Sequence, residues 1–349
     1  MANDQIQRFV FRTLLSLPSP ILRAMSGGTA VYRGGRTLDP RFQFMAAMSA
    51  RAPAAHTQSP EEARRSSATG LAAVTGGTEP GVRTETIMIP DGERSLAARA
   101  YRPAHQSPDA PLIVYGHMGG GVIGDLETCD SFCQTLASIA RAPVLSVDYR
   151  LAPEHRFPTG LNDMMTAWRW ARDHGSRFGS PEGRLVIAGD SMGGNFAAIL
   201  CQDLRRAGEP QPELQVLIYP CVDVASETAS MTTYAEAFPL GRALMTWFMG
   251  HYMGPEDSPA DPRLSPLQEP DLAGLAPAIV VTAGFDPLTD QGEAYAKRLK
   301  DAGVKVVFRC YDALAHGFTA FGGAIPAADV ACREIAGLVR EALEGRLRG

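Results

Sequence analysis

Gly189-Asp190-Ser191-Met192-Gly193 carries the clearest chemical meaning in the sequence. A short apolar run, Leu185 to Ala188, leads into this Gly-x-Ser-x-Gly turn, and helical periodicity follows from Asn195 to Ala207. A serine hydroxyl is a weak nucleophile unless a sharp turn presents it and a base stands beside it. Glycines on either side let neighbouring backbone pass closely, and a helix starting just after the turn aims its N-terminal amides at developing negative charge. Read alone, the segment also fits a glycine-rich strand–helix turn with an ordinary surface serine, because 35 of the 349 residues are glycine and chance matches are common.

A nucleophilic serine needs a base, and the base needs an acid to orient it. On a strand–turn–helix nucleophile the chain order is serine, then Asp or Glu, then His. Of seven histidines, only His251 and His316 follow Ser191. His251 lies in an aromatic stretch, whereas His316 sits in Ala315-His316-Gly317-Phe318, just after the apolar run Val304 to Tyr311. For the acid, Ala283-Gly284-Phe285-Asp286-Pro287-Leu288 places Asp286 past a strand end. Asp290 is the alternative, but an Asp at the start of a helix usually serves as a cap or dipole partner. Asp286 and His316 are therefore the expected partners of Ser191.

Acyl transfer also needs N–H donors for the oxyanion. One would come from Met192 and the others from a glycine loop, here Ile113-Val114-Tyr115-Gly116-His117-Met118-Gly119-Gly120-Gly121. The same loop has a rival reading. Gly119-x-Gly121-x-x-Gly124 matches a dinucleotide fingerprint, with Asp148 ending the next strand where a ribose-binding acid would stand. An NAD-dependent oxidoreductase is thus the alternative enzyme. Three residues between the strand and the first glycine argue against it, and it leaves the serine, Asp286 and His316 without a role. A third reading is a non-catalytic shell that binds a small molecule; such shells typically lack one of the three groups, and all three candidates are present here.

Alternating strand and helix patterns supply the frame for these residues. Thr84 to Ile89 and Ser95 to Tyr101 flank the turn at Asp91-Gly92 and predict a hairpin. Strands are expected at 112–115, 144–148, 185–188, 216–219, 279–283 and 304–311. Helices are expected at 126–141, 161–174, 195–207, 292–302 and 327–343. This alternation predicts an α/β fold with a mostly parallel sheet covered on both faces. Residues 221–262 break the rhythm with Phe238, Met245, Trp247, Phe248, Met249, Tyr252 and Met253, and are read as a helical insertion over the carboxyl ends of the strands. Residues 1–80 are rich in Ala, Arg, Ser and Pro and form an N-terminal helical part. Residues 81–220 and 263–349 form the catalytic domain.

Composition bounds the remaining choices. The content is that of an ordinary globular protein, 45% hydrophobic, with 33 basic and 38 acidic residues for a net charge of −5. With no basic block standing out, nucleic acid and anionic membrane surfaces are not indicated. The cysteines at 129, 133, 201, 221, 310 and 332 lack zinc-site spacing and are expected to be free thiols in a reducing cytoplasm. The apolar stretch Phe9 to Leu15 is too short to span a bilayer and lacks signal-peptide order. It reads as an amphipathic helix packed on the protein, with peripheral membrane contact as the lesser alternative and no stable insertion.

Five segments taken together resemble the bacterial hormone-sensitive-lipase-like esterases of the α/β-hydrolase superfamily. They are the His117-Gly loop, Asp148-Tyr149-Arg150-Leu151-Ala152-Pro153-Glu154, Gly189 to Asn195, Asp286-Pro287-Leu288 and His316-Gly317-Phe318. The resemblance covers roughly residues 80 to 345. It implies an α/β-hydrolase fold with an eight-stranded sheet, and a cap made of the N-terminal helices and the 221–262 insertion. It also implies no cofactor or metal, short acyl esters as substrates, and frequent homodimers. In that family the segment from Asp148 to Glu154 braces the oxyanion loop. Two positions depart from the family pattern: Met118 stands where the loop usually has glycine, and Met192 where Ala usually follows the nucleophile. Aligned on His117, the loop continues with Val122-Ile123-Gly124 in family spacing, which makes the amides of Gly119 and Gly120, with Met192, the expected oxyanion donors. Aligned on its glycines, the donors would be Gly120 and Gly121.

Overall fold

The computed structural model describes residues 10–346. Its core is an eight-stranded sheet. The strands are β1 (Val82–Asp91), β2 (Arg94–Pro103), β3 (Leu112–Gly116), β4 (Val144–Val147), β5 (Leu185–Asp190), β6 (Gln215–Ile218), β7 (Ala278–Phe285) and β8 (Val306–Ala315), and the spatial order is β1-β2-β4-β3-β5-β6-β7-β8. β1 and β2 form the expected antiparallel hairpin, and β2 runs antiparallel to β4. All pairings from β4 through β8 are parallel.

The inner strands are buried along their whole length because helices cover both faces. Alternate residues serve the two sides. Leu112 and Val114 pack with α5 (Thr159–Asp173), α6 (Met192–Ala207) and α9 (Thr289–Asp301), while Ile113 and Tyr115 pack with α4 (Asp130–Ala140) and α10 (Pro326–Leu343).

Several boundaries differ from the sequence reading, three of them for a visible reason. Helix α4 begins at Asp130, because Asp125 accepts hydrogen bonds from the amides of Glu127 and Thr128 and holds a turn there instead. Helix α6 begins at Met192, since Gly193 and Gly194 are kept helical by close packing against neighbouring backbone. Strand β8 runs on through a register irregularity to Ala315, so His316 leaves the sheet directly.

Phe9 lies outside the described residues; residues 10–15 are helical. They are followed by α1 (Ser19–Met25), a two-residue ribbon pairing Tyr32–Arg33 with Arg36–Thr37, α2 (Pro40–Ser49) and α3 (Pro60–Val74). Asp39 caps α2, and Ser59 with Glu62 forms a capping box on α3. Leu15, Leu22, Phe42, Phe44 and Met45 are buried on the α4/α10 side of the sheet. The insertion contains two short helices, α7 (Ala229–Thr233) and α8 (Arg242–Tyr252), with irregular chain between and after them. Asn195 Nδ2 pins its ends by donating to the carbonyls of Cys221 at 2.7 Å and Leu264 at 2.9 Å. No helix among the described residues is long and apolar enough to cross a membrane.

Candidate active site

Ser191 sits between β5 and α6 with φ 53° and ψ −113°, a left-handed φ that a non-glycine residue adopts only when its surroundings enforce it. The enforcement is steric. A Cβ on Gly193 would fall 1.9 Å from the Gly116 carbonyl oxygen, and one on Gly189 would fall 2.3 Å from Gly193 backbone. Only glycine lets strand, turn and helix close this tightly, and the closure tips the Ser191 hydroxyl out over the strand ends.

The other two residues arrive from adjacent strands. Asp286 follows β7 and His316 follows β8. The Ser191 hydroxyl donates to His316 Nε2 at 2.9 Å, and His316 Nδ1–H donates to Asp286 Oδ2 at 2.7 Å. Asp286 is fully buried, and its second oxygen accepts the Leu288 amide at 2.8 Å, so each carboxylate oxygen has a partner. Ser191 and His316 are each under 10% exposed. Asp290 takes no part: its carboxylate accepts the Ser230 amide at 2.7 Å from the first turn of α9. His251 stacks edge-on with Trp247 in α8.

A second buried network supports the first, and sequence reasoning missed it. The Asp190 carboxylate accepts the Tyr219 hydroxyl at 2.9 Å and the Thr319 hydroxyl at 2.9 Å, with the Cys129 thiol at 3.6 Å. The two hydroxyl oxygens also lie in contact with each other, both turned to the same carboxylate oxygen. Burial pushes the Tyr219 phenol well above its ordinary range, so it stays a donor. Its ring packs 4.8 Å from the His316 imidazole. Asp190 is visible inside the turn motif, but nothing local joins it to residues 29 and 129 positions away.

The glycine loop is braced from behind. The Tyr149 hydroxyl donates to the His117 carbonyl at 2.7 Å, its ring stacks on the His117 imidazole at 4.2 Å, and the Ala152 amide donates to the Gly121 carbonyl at 2.8 Å. Burial holds His117 below its ordinary pKa, hence neutral, with Nδ1–H donating to the Met118 carbonyl. Arg64 of α3 ties three pieces together. Its guanidinium donates to the Val122 carbonyl at 2.8 Å, to the Ala152 carbonyl at 2.7 Å, and to both oxygens of Glu154. These bonds hold the Glu154 carboxyl down at about 2.

Two cavities meet at Ser191 and Gly120. The larger, about 440 Å³, is lined by Met192, Met231, Met245, Met249 and Met253, with Phe248 and Leu288. The smaller, about 120 Å³, is lined by His316, Met118, Gly119, Phe321 and Leu71. Gly119 borders one cavity and Gly120 both; Gly121 borders neither and lies under the Tyr252 ring. Cys221 also lines the larger cavity, but burial pushes its thiol up to about 12, so it offers no competing thiolate.

The dinucleotide reading of Gly119, Gly121 and Gly124 fails on this geometry. That fingerprint needs a helix N-terminus at the glycines, and α4 begins only at Asp130. Positions 121 and 124 are instead filled by Tyr252 and His117. Among the described residues no group of three or more His, Cys, Asp or Glu side chains is placed to hold a metal ion.

Comparison with known proteins agrees with the geometry. A family described as having the alpha/beta hydrolase fold matches residues 113–320. The carboxylic ester hydrolase LipN of Mycobacterium tuberculosis is 40% identical over 310 residues, covering 86% of this chain and 82% of that protein. The ethyl acetate hydrolase of Pseudomonas putida is 36% identical over 278 residues, covering 78% of this chain and 87% of that protein. The crystal structure of an ester hydrolase from the metagenome of Lake Arreo, complexed with a bipyridine phosphonate derivative, superposes with a TM-score of 0.83 at 35% identity, covering 94% of this chain and 99% of that one.

Proposed function

The chain belongs to the hormone-sensitive-lipase-like branch of the alpha/beta hydrolase family and is a carboxylic ester hydrolase, and from that premise we propose that its acyl transfer runs through Ser191, His316 and Asp286. The observation that carries this assignment is the unbroken chain of hydrogen bonds from Ser191 through His316 to buried Asp286.

Ser191 Oγ attacks the ester carbonyl carbon while His316 Nε2 takes the hydroxyl proton. Asp286 holds the imidazole in the tautomer that leaves Nε2 free and stabilises the imidazolium that forms. The amides of Gly119, Gly120 and Met192 receive the oxyanion. Gly119 supports this register by bordering the smaller cavity beside Ser191, whereas Gly121 borders neither cavity and lies under the Tyr252 ring. His316 then returns its proton to the departing alkoxide. Water attacks the acyl-enzyme, its proton passes to His316 and on to Ser191 Oγ, and the acid leaves.

Since His316 must reach the leaving oxygen, the alcohol portion belongs in the smaller, His316-lined cavity and the acyl portion in the methionine-lined one. The cap comprises the N-terminal part, residues 1–80, whose α3 brings Ser67 and Leu71 to the smaller cavity, and the 221–262 insertion, which lines most of the larger one. Short acyl esters are the expected substrates because α8 closes the acyl cavity above Ser191. A phosphonate probe should label Ser191 alone in a peptide map. In a series of p-nitrophenyl esters, kcat/KM should fall at least about tenfold from butyrate to laurate; a rise toward laurate overturns the acyl assignment, and labelling of another serine overturns the nucleophile.

A further inference from the structure

The net charge of the whole chain, which points away from anionic surfaces, averages two unlike regions. Residues 1–60 hold seven arginines and two aspartates, with no lysine or glutamate, and the other 289 residues hold 26 basic and 36 acidic side chains. The basic region is also where apolar side chains face water. Of seven large hydrophobic residues standing exposed among those described, five lie here: Val10, Ile21, Met25, Tyr32 and Met48, from 36% to 70% exposed. The remaining two, Met88 and Val330, are far apart in the chain.

The arginines are mostly uncompensated. Arg36 pairs with Asp312. Arg12 donates to the carbonyls of Ala73 and Thr75, and Arg41 to that of Leu15, bonds that fix the side chains but leave their charge in place. Among the described residues no carboxylate lies within ion-pair distance of Arg12, Arg23, Arg33, Arg41 or Arg51. Helix α1 packs on α2, placing Ile21 and Met25 on successive turns above a buried Leu22. Exposed apolar side chains among unpaired cations are what an interfacial surface for anionic lipid requires: the cations draw it to the headgroups and the apolar residues enter the acyl boundary.

We propose that residues 10–51 form a docking surface for anionic lipid membranes. The surface adjoins the active site, because Phe42 of α2 meets Phe321 edge-on at 5.2 Å, and Phe321 lines the smaller cavity. Docking there brings the His316-lined cavity close to the phase in which apolar esters dissolve. Each cation near such a surface strengthens binding roughly fivefold, so the attraction is steeply sensitive to salt.

Co-sedimentation of the full chain with vesicles tests this. Binding is expected to phosphatidylglycerol-containing vesicles at low ionic strength, weakening at least about tenfold in high salt, with none to pure phosphatidylcholine. The variant Ile21→Glu/Met25→Glu/Tyr32→Glu and the variant Arg33→Glu/Arg51→Glu should each lose vesicle binding while hydrolysing water-soluble p-nitrophenyl acetate at the parent rate, which also shows that they fold. Absence of binding by the parent chain, or binding that both folded variants retain, overturns the proposal. So does light scattering that finds a dimer which the apolar variant dissociates, because the exposed residues would then face a second copy of the chain.

Discussion

Beneath Ser191, side chains meet through hydrogen bonds that leave no choice of partner: Asp286 has both oxygens committed, and Asp190 collects Tyr219 and Thr319 in a dry interior. Above it, α8 and its flanks contribute Met245, Phe248, Met249 and Met253, whose contacts are dispersive and adaptable. A buried polar network tolerates one geometry, because a lost partner leaves a desolvated group unpaired at about 1–3 kcal/mol. A methionine-lined wall has many geometries of similar energy. The contrast sets the chemistry proposed at the strand ends apart from the substrate choice proposed for the wall formed by α8 and its flanks.

Removing the proposed nucleophile from the rigid side should have the largest effect. Ser191→Ala should lower kcat by about 10⁴-fold or more, leaving the residual rate that oxyanion donors and binding alone provide, and thermal melting should be little changed. Retained turnover would mean that the buried floor is not the catalytic side. Next comes the acid. Asp286→Asn should lower kcat by about 10³- to 10⁴-fold, while Asp290→Asn, which only loosens its bond to the Ser230 amide, should keep kcat within a few-fold. The reverse ranking would move the acid to α9.

Arg64 lies on the seam between the two regions, so Arg64→Ala should have an intermediate effect. The loop carrying Gly119 and Gly120 loses its tie to α3, and kcat should fall about tenfold with KM less affected, as expected when oxyanion donors lose alignment. A pure stability loss with unchanged kcat would show that the brace is not coupled to the donors. On the adaptable side, Met249→Ala should shift preference toward bulkier acyl groups by about tenfold, with turnover of acetate esters nearly unchanged.

The smallest effect concerns pH. Arg64 holds Glu154 at about 2, below its ordinary value of 4.5. A depressed carboxylate contributes stability that is present above the unfolded value and is lost as pH falls from about 4.5 through 2. The Glu154 side chain is more than half exposed, so Glu154→Gln should cost at most about 1 kcal/mol at neutral pH. That difference in unfolding free energy should vanish near pH 2, and one that grows on acidification would reverse the sign of the linkage.

Much of this architecture was legible because its signals are local. The buried strands expected at 112–115 and 185–188 announce themselves as continuous apolar runs, and the turn at Ser191 by its glycines. Boundaries drifted where tertiary contact overrides propensity. Gly193 and Gly194 stand outside the helix expected from 195, yet they lie in the first turn of α6, because only glycine fits against Gly116 and Pro220 there. The irregularity in β8 that carries the strand to Ala315 has no counterpart in the sequence pattern.

The sequence by itself determined which residue types stand at which strand ends, since residue order and the period of burial are properties of the chain alone. That was enough to nominate Ser191, Asp286 and His316 and to read a parallel sheet. The tertiary structure alone decided which of them touch, how Arg64 joins α3 to the loop 58 residues on, and that Asp190 is held by Thr319 across 129 residues. It also decided that the exposed apolar residues of the N-terminal part lie among arginines with no carboxylate partner among the described residues. These contacts arise when distant segments are desolvated together, and the free energy of a buried partner depends on a neighbour that no local pattern encodes.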